Sequence, residues 1–551
     1  MGTKVLVLFA LFSIQQCKGQ SGPVVQTENG AVRGLYNTTV WRSMKFSSFR
    51  GIPYGKPPVG HLRFQPPLPA EPWEGTLNAT KVPNPCPQYD FLGRQLVGRE
   101  DCLNINVYTP VTDFGGSLKL KPVMVWIYGG AFSAGFSNDT LYGPSFLVER
   151  DVVIVTFNYR VGVLGFLSLN HPRALGNAGT KDQYLVLQWV NKNIAAFGGD
   201  PNQVTLFGMS SGAMCIGLHV LSEKAAGLFS KVILISGTPL SRLAHQTSQD
   251  AYNSAYQLAL LLGHNSTSTE DLLDFLSQAP AFELSSATQL LVIINSVNCN
   301  ELSTWKNGAL TTIENTTIDY NNTAYVTQCS LTKYQSGNFN KVPTMLGYTH
   351  DEALFFLFPF TQSASPVRDA TEYYSNVDPM TSKTFTDTVN DPADIGVDVF
   401  TKVGTDLYFI SSIDLTQKLL AANNGNNSVY FYRQSYQSPY TLHKVYLHIP
   451  YDGVAHIDDV WYVWEASAII PVPTDPNDPF YQYLNTMVSL YTNFAKYGNP
   501  TPEGNSPIDV TWTPSGAEGL QIDMNTTFTM NNRLADASAL GYEPDINSTC
   551  N

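Results

Sequence analysis

The pentapeptide Gly208-Met209-Ser210-Ser211-Gly212 occurs once in the chain. Its G-x-S-x-G pattern presents a serine that could attack an acyl carbon. A serine hydroxyl is a weak nucleophile near neutral pH. It needs a histidine to take its proton and a carboxylate to orient that histidine. Candidates for both lie downstream. Asp351 and Glu352 sit in the loop after the strand-like run Val342–Gly347, and His443, His448 and His456 follow the run Val429–Tyr432. Serine, acid, histidine is one of the chain orders in which such triads occur. Residue types alone leave either carboxylate and any of the three histidines open. The reading includes no metal and no cofactor.

The elements that must position these residues are legible. Val204-Thr205-Leu206-Phe207 is a short buried strand, and Ala213 to Leu221 reads as a buried helix. Strand, sharp turn and helix form the context in which G-x-S-x-G exposes its serine at the end of a sheet. The glycines allow neighbouring backbone to come close, and the helix N-terminus favours negative charge at the turn. Further strands are expected at Pro122–Tyr128, Val152–Phe157 and Lys231–Gly237, with Val429–Tyr432 as the last core strand and a helix from about Asp182 to Ala196. Near-continuous apolar runs alternating with helical stretches predict an α/β fold, with a mostly parallel central sheet covered by helices on both faces. Residues 240–340 are harder to read. Helical patches at Tyr252–Leu262 and Asp271–Gln278, set among polar loops, suggest a cap over the site.

The stretch from Phe197-Gly198-Gly199 to Gly212 resembles the signature of the type-B carboxylesterase, cholinesterase and fungal lipase family. So do Phe49-Arg50-Gly51-Ile52-Pro53-Tyr54-Gly55, Leu62-Arg63-Phe64 and Glu100-Asp101-Cys102-Leu103. The resemblance implies an α/β-hydrolase fold and a serine hydrolase of carboxylic esters acting through an acyl-enzyme. It assigns Ser210 as nucleophile, Glu352 as the acid that orients the histidine, and His456, in Gly453-Val454-Ala455-His456, as base. It implies that Gly130 and Ala131, in the glycine-rich turn after Tyr128, join Ser211 in donating N–H groups to the oxyanion. It also implies two structural ion pairs, Arg63 with Glu100 and Arg160 with Asp182, the latter aspartate opening its helix. Three positions depart from the family pattern. Asn104 replaces an aromatic or Thr, Ile457 a glycine after the histidine, and Met209 a glutamate before the nucleophile.

Met209 bears on substrate. In cholinesterases that glutamate, with a tryptophan in the loop matching residues 86–102, helps hold a quaternary ammonium. This loop has Tyr89 and Phe91 but no Trp. Neutral or lipid-like esters are therefore the expected substrates. The same fold also serves non-catalytic adhesion or binding ectodomains, and Met209 and Ile457 keep that alternative in view.

Composition sets the setting. The chain has 551 residues, 43% apolar and 14% charged, and a net charge of −13. That suits a large core and argues against a nucleic-acid surface. Residues 1–19, with Lys4 before the apolar run Val5–Ile14, read as a signal peptide, leaving residues 20–551 as a single domain. No other stretch reaches the ~18 apolar residues of a membrane span, and the C-terminal residues lack a lipid-anchor tail. A secreted, extracellular protein is expected. The sequons at Asn37, Asn78, Asn138, Asn265, Asn315, Asn321, Asn426, Asn525 and Asn547 agree with glycosylation. Cys86 and Cys102 bracket a loop that an oxidising compartment would let them close. Cys299 and Cys329 are a candidate second pair, and Cys215, on the helix after the nucleophile, a buried free thiol. Cys550 is left for a free thiol or a disulfide-linked dimer.

Overall fold

The computed structural model describes residues 22–90, 95–297, 309–360, 367–371 and 396–535. The expected signal peptide, Phe91, Cys299, Asn547 and Cys550 lie outside them. Eleven strands form the main sheet: β1 Leu35–Thr38, β2 Lys45–Pro53, β3 Asn104–Thr109, β4 Lys121–Ile127, β5 Val153–Phe157, β6 Gly199–Met209, β7 Lys231–Ile235, β8 Thr344–Thr349, β9 Val429–Gln434, β10 Gln521–Met524 and β11 Phe528–Asn531. Their order across the sheet is β11-β10-β9-β8-β7-β6-β4-β5-β3-β2-β1. Strands β5 through β10 in that order pair in parallel through β4, and the two margins pair antiparallel.

The parallel strands are apolar almost throughout because both faces are covered. Every residue of β5 and β8 is buried, as are Val123–Ile127 of β4. Helix α1, Ala178–Asn193, packs on β6, and helix α2, Ser211–Leu221, on β4, β6 and β7; the long helix Pro479–Tyr497 also packs on β4 and β6. The chain passes from β4 outward to β5 and then back across β4 to β6. A crevice opens at such a reversal, beyond the carboxyl ends of the strands. The loops after β4 and β6 carry Gly130 and Ser210.

Two sequence expectations need correction. Val429–Tyr432 is not the last core strand, since β10 and β11 extend the sheet beyond it. Gln521–Met524 is only four residues long and follows a polar stretch, so it carries little pattern of its own. Helix α1 starts at Ala178, four residues before Asp182, so Asp182 lies in its second turn. Ala178 and Gly179 suit that start because they are small: a Cβ on Gly179 would sit 2.3 Å from the Arg160 carbonyl oxygen.

Between 240 and 297 the helices are Ser248–Leu261, Thr269–Gln278 and Ala281–Val297, the third unforeseen, and a shorter one, Ser330–Ser336, follows. The first is started by a capping box between Thr247 and Asp250. Leu258, Leu272, Leu276 and Leu284 form a second apolar core with Phe64, Val163 and Leu164. Arg63 binds this layer to the rest. It pairs with Glu100 through two 2.7 Å bonds and donates to the carbonyls of Ser277 and Ala279, at the end of the middle helix.

Candidate active site

Ser210 follows β6 directly and has φ 57°, ψ −128°. A non-glycine residue held there stores roughly 1–3 kcal/mol of strain, which the surrounding packing must hold in place. Its N–H donates to the Ile235 carbonyl at 2.8 Å, and its carbonyl accepts from Met214 N–H at 2.9 Å, inside α2. Gly212 makes the turn fit, for a Cβ there would lie 2.1 Å from the Ile127 carbonyl oxygen. Because β4 and β6 are neighbours, the glycine-rich turn lies beside the serine: a Cβ on Gly129 would lie 2.9 Å from that of Ser210.

That turn is wound tightly. Gly130, Ala131 and Phe132 have φ of 128°, 53° and 58°. The Gly130 carbonyl accepts from Ser133 and Ala134, and the Phe132 carbonyl from Gly162 at 2.7 Å. The loop between the half-cystines braces it further. Cys86 and Cys102 form a disulfide, and Gln88 exchanges two bonds with Gly135, donating at 2.9 Å and accepting at 2.6 Å. Below the turn, Tyr128 and Tyr159 stack at 4.4 Å. Arg160, next in the chain, meets Asp182 in a buried bidentate pair at 2.8 and 2.6 Å.

Glu352 and His456 come together from segments a hundred residues apart. His456 Nδ1 lies 2.5 Å from Glu352 Oε2. The other carboxylate oxygen accepts the Thr349 N–H at 2.8 Å, and His456 N–H donates to the Glu352 carbonyl at 3.2 Å. Glu352 is fully buried and His456 nearly so. Phe409 and Phe355 pack on the imidazole, with ring centroids 4.7 and 5.6 Å away. Phe409 belongs to a π-helical turn, Asp406–Ile410. Such turns often re-aim side chains at functional sites.

The alternatives at these positions have other partners. Asp351 accepts the Val454 N–H at 3.0 Å and faces His350 Nδ1 at 2.8 Å. His448 is exposed, and His443 is buried against Asp458 at 2.6 Å. Ile457 has φ 78°, which accounts for the strain a β-branched residue brings to this position. Met209 is buried and brings no charge. Asp459 is buried with no side-chain partner among the described residues, and burial, with the Glu352 and Asp458 charges, raises its pKa well above the carboxylate range. Cys215 is a buried free thiol whose pKa burial pushes up to about 12, so it stays protonated and inert. Cys329 is disulfide-bonded.

Comparison with known proteins fits this geometry. The profile of the carboxylesterase family matches residues 21–539. The chain belongs to the carboxylesterase family. Juvenile hormone esterase of Tribolium castaneum is 32% identical over 523 residues, covering 88% of this chain and 85% of that protein. Esterase B1 of Culex pipiens is 46% identical over 219 residues, 39% of this chain and 40% of that protein. The crystal structure of juvenile hormone esterase from Manduca sexta, with OTFP covalently attached, superposes with a TM-score of 0.82 at 28% identity, over 94% of this chain and 98% of that one. This carboxylesterase therefore has the α/β-hydrolase fold and is a carboxylic ester hydrolase.

Sequence reasoning missed Phe409 and the buried His443–Asp458 pair. Nothing in the local pattern connects Phe409 to a histidine 47 positions later. Asp458, two residues after His456, is a local signal for that pair.

Proposed function

We propose that this carboxylesterase is a secreted serine hydrolase of neutral, apolar esters, working through Ser210, His456 and Glu352. The observation that carries the reading is the buried Glu352–His456 bond. It commits Nδ1 to the carboxylate and leaves Nε2 for the serine proton. In the reaction, Ser210 Oγ attacks the acyl carbon while His456 takes its proton. The Gly130, Ala131 and Ser211 N–H groups receive the negative charge on the former carbonyl oxygen, each worth ~3 kcal/mol or more. His456 then returns the proton to the departing alcohol, and water, activated the same way, releases the acid.

Phe355, Phe409 and Met209 make an apolar surround, which suits an uncharged ester. Two relatives are named juvenile hormone esterases, so that ester is one substrate to test. Among the described residues no helix is long and apolar enough to cross a membrane. The eight described sequon asparagines are exposed or half-buried, as attachment requires. These features support secretion after removal of residues 1–19, with residues 20–551 acting as one domain and the helices of 240–340 as a cap. A fluorophosphonate probe tests the mechanism. It should label the secreted protein once, at Ser210, and Ser210→Ala should lose both labelling and ester hydrolysis while still being secreted. Absence of labelling on folded protein would favour the adhesion or binding ectodomain instead.

A further inference from the structure

The loop that carries His456 is held on both sides by carboxylates. Asp351 takes the Val454 N–H, Glu352 takes the His456 ring, and Asp458 takes the Ala455 N–H at 2.8 Å. Asp458 is the hub. Its Oδ1 accepts the His443 backbone N–H at 3.1 Å, and its Oδ2 lies 2.6 Å from His443 Nδ1. The other ring nitrogen of His443, Nε2, lies 3.0 Å from the Tyr451 carbonyl oxygen. A carbonyl only accepts, and so does an ionised carboxylate. Both ring nitrogens must therefore donate, and the ring that satisfies both bonds is the imidazolium. Both side chains are fully buried. The ring thus ties Tyr451, upstream of the loop, to Asp458, just past it.

We infer that His443 and Asp458 are a positioning pair, an imidazolium–carboxylate clamp that fixes the backbone on either side of the catalytic histidine. The inference rests on the esterase mechanism proposed above and adds a requirement to it: the clamp works only while His443 carries its second proton. The charged and titratable groups facing it agree. Burial pulls the His443 pKa down, but the hydrogen bond and charge of Asp458 outweigh it, with Lys444 opposing, so the pKa ends above the ordinary histidine range. Asp452, which binds Lys444, also faces the ring with its charge. The sign follows from the raised value. The clamp is complete below about pH 6.5, where the unfolded histidine is also protonated, and is lost as pH rises through the folded pKa.

The test is the pH dependence of kcat and of fluorophosphonate labelling between pH 6 and 10, with circular dichroism to show that the fold persists. The unmodified enzyme should lose kcat reversibly on the alkaline side with KM within twofold. His443→Gln should lower kcat roughly 10- to 100-fold, the range expected from displacing a catalytic group by a fraction of an ångström to an ångström. It should also abolish the alkaline limb, while the exposed control His448→Gln changes neither. A His443→Gln enzyme with kcat within twofold of the unmodified one, or one that keeps the alkaline limb, overturns the inference while the triad stands. If His443→Gln does not fold, a flat alkaline profile of the unmodified enzyme overturns it. Folded, unmodified protein that is not labelled at any pH overturns the esterase mechanism and this inference together.

Discussion

At the scale of single residues, the site divides its carboxylates by environment. Glu352 accepts a bond from a backbone N–H and faces the ring of His456. Asp459, three residues past His456, is buried beside the Glu352 and Asp458 charges, which with burial raise its pKa. On the proposed mechanism, replacing Glu352 by Gln keeps the shape but removes the charge that would stabilise the imidazolium, so kcat should fall by about 10³–10⁴-fold with little change in KM. Steady-state kinetics on a chromogenic ester checks this. Charge selectivity belongs to the same scale. A carboxylate beside the nucleophile can attract a substrate cation by several kcal/mol before desolvation is subtracted, and Met209 cannot. A choline ester and its uncharged dimethylbutyl analogue should therefore be hydrolysed with similar kcat/KM, and Met209→Glu should move the ratio toward the cation. A hundredfold preference for the choline ester in the unmodified enzyme would contradict the apolar-ester reading.

At the scale of elements, the site is held by what packs beneath and beside it. Trp464, just past the His456 loop, stacks on Phe207 of β6 at 5.5 Å and meets Trp126 of β4 at 5.3 Å. The segment bearing His456 is thus tied to the strands that bear Ser210 and the glycine-rich turn. The Cys86–Cys102 bridge does the same for the loop that reaches Gly135. Its loop closure contributes roughly 3 kcal/mol in the chain-entropy model. Replacing both cysteines by alanine should lower Tm by several degrees. It should also reduce kcat, because Gln88 then holds Gly135 less firmly. Unchanged melting in the double variant would show that the bridge adds nothing to the fold.

At the scale of the whole molecule, stability carries the cost of burying Asp459. The Asp459 pKa is raised in the folded state, so the stability its proton confers is full below about pH 4, the unfolded value, and is lost as pH rises through the folded value. Asp459→Asn, which has no proton to take up, should melt a few degrees higher at pH 7–8, and the difference should shrink to nothing near pH 4. Thermal unfolding across that range decides it, and a variant that melts lower at pH 7 would show that the carboxylate is paired and charged.

The sequence by itself determined the parts of this protein whose signals are local. A strand, a sharp turn and a helix leave their pattern within twenty residues, so the Ser210 turn, the runs of β4 to β9 and the Cys86–Cys102 loop were all legible. The family resemblance added the choice of Glu352 over Asp351 and of His456 over two other histidines, which residue types alone left open. Only the tertiary structure decided what the other candidates bond to: Asp351 accepts the Val454 N–H and His443 faces Asp458, on either side of His456. It also decided that β10 and β11 complete the sheet, that Ala281–Val297 is a helix, and that Phe409 lies on His456. These depend on contacts between segments distant in the chain. A short strand or a single ring is placed by the neighbours it packs against, and that information is spread over residues with no fixed spacing.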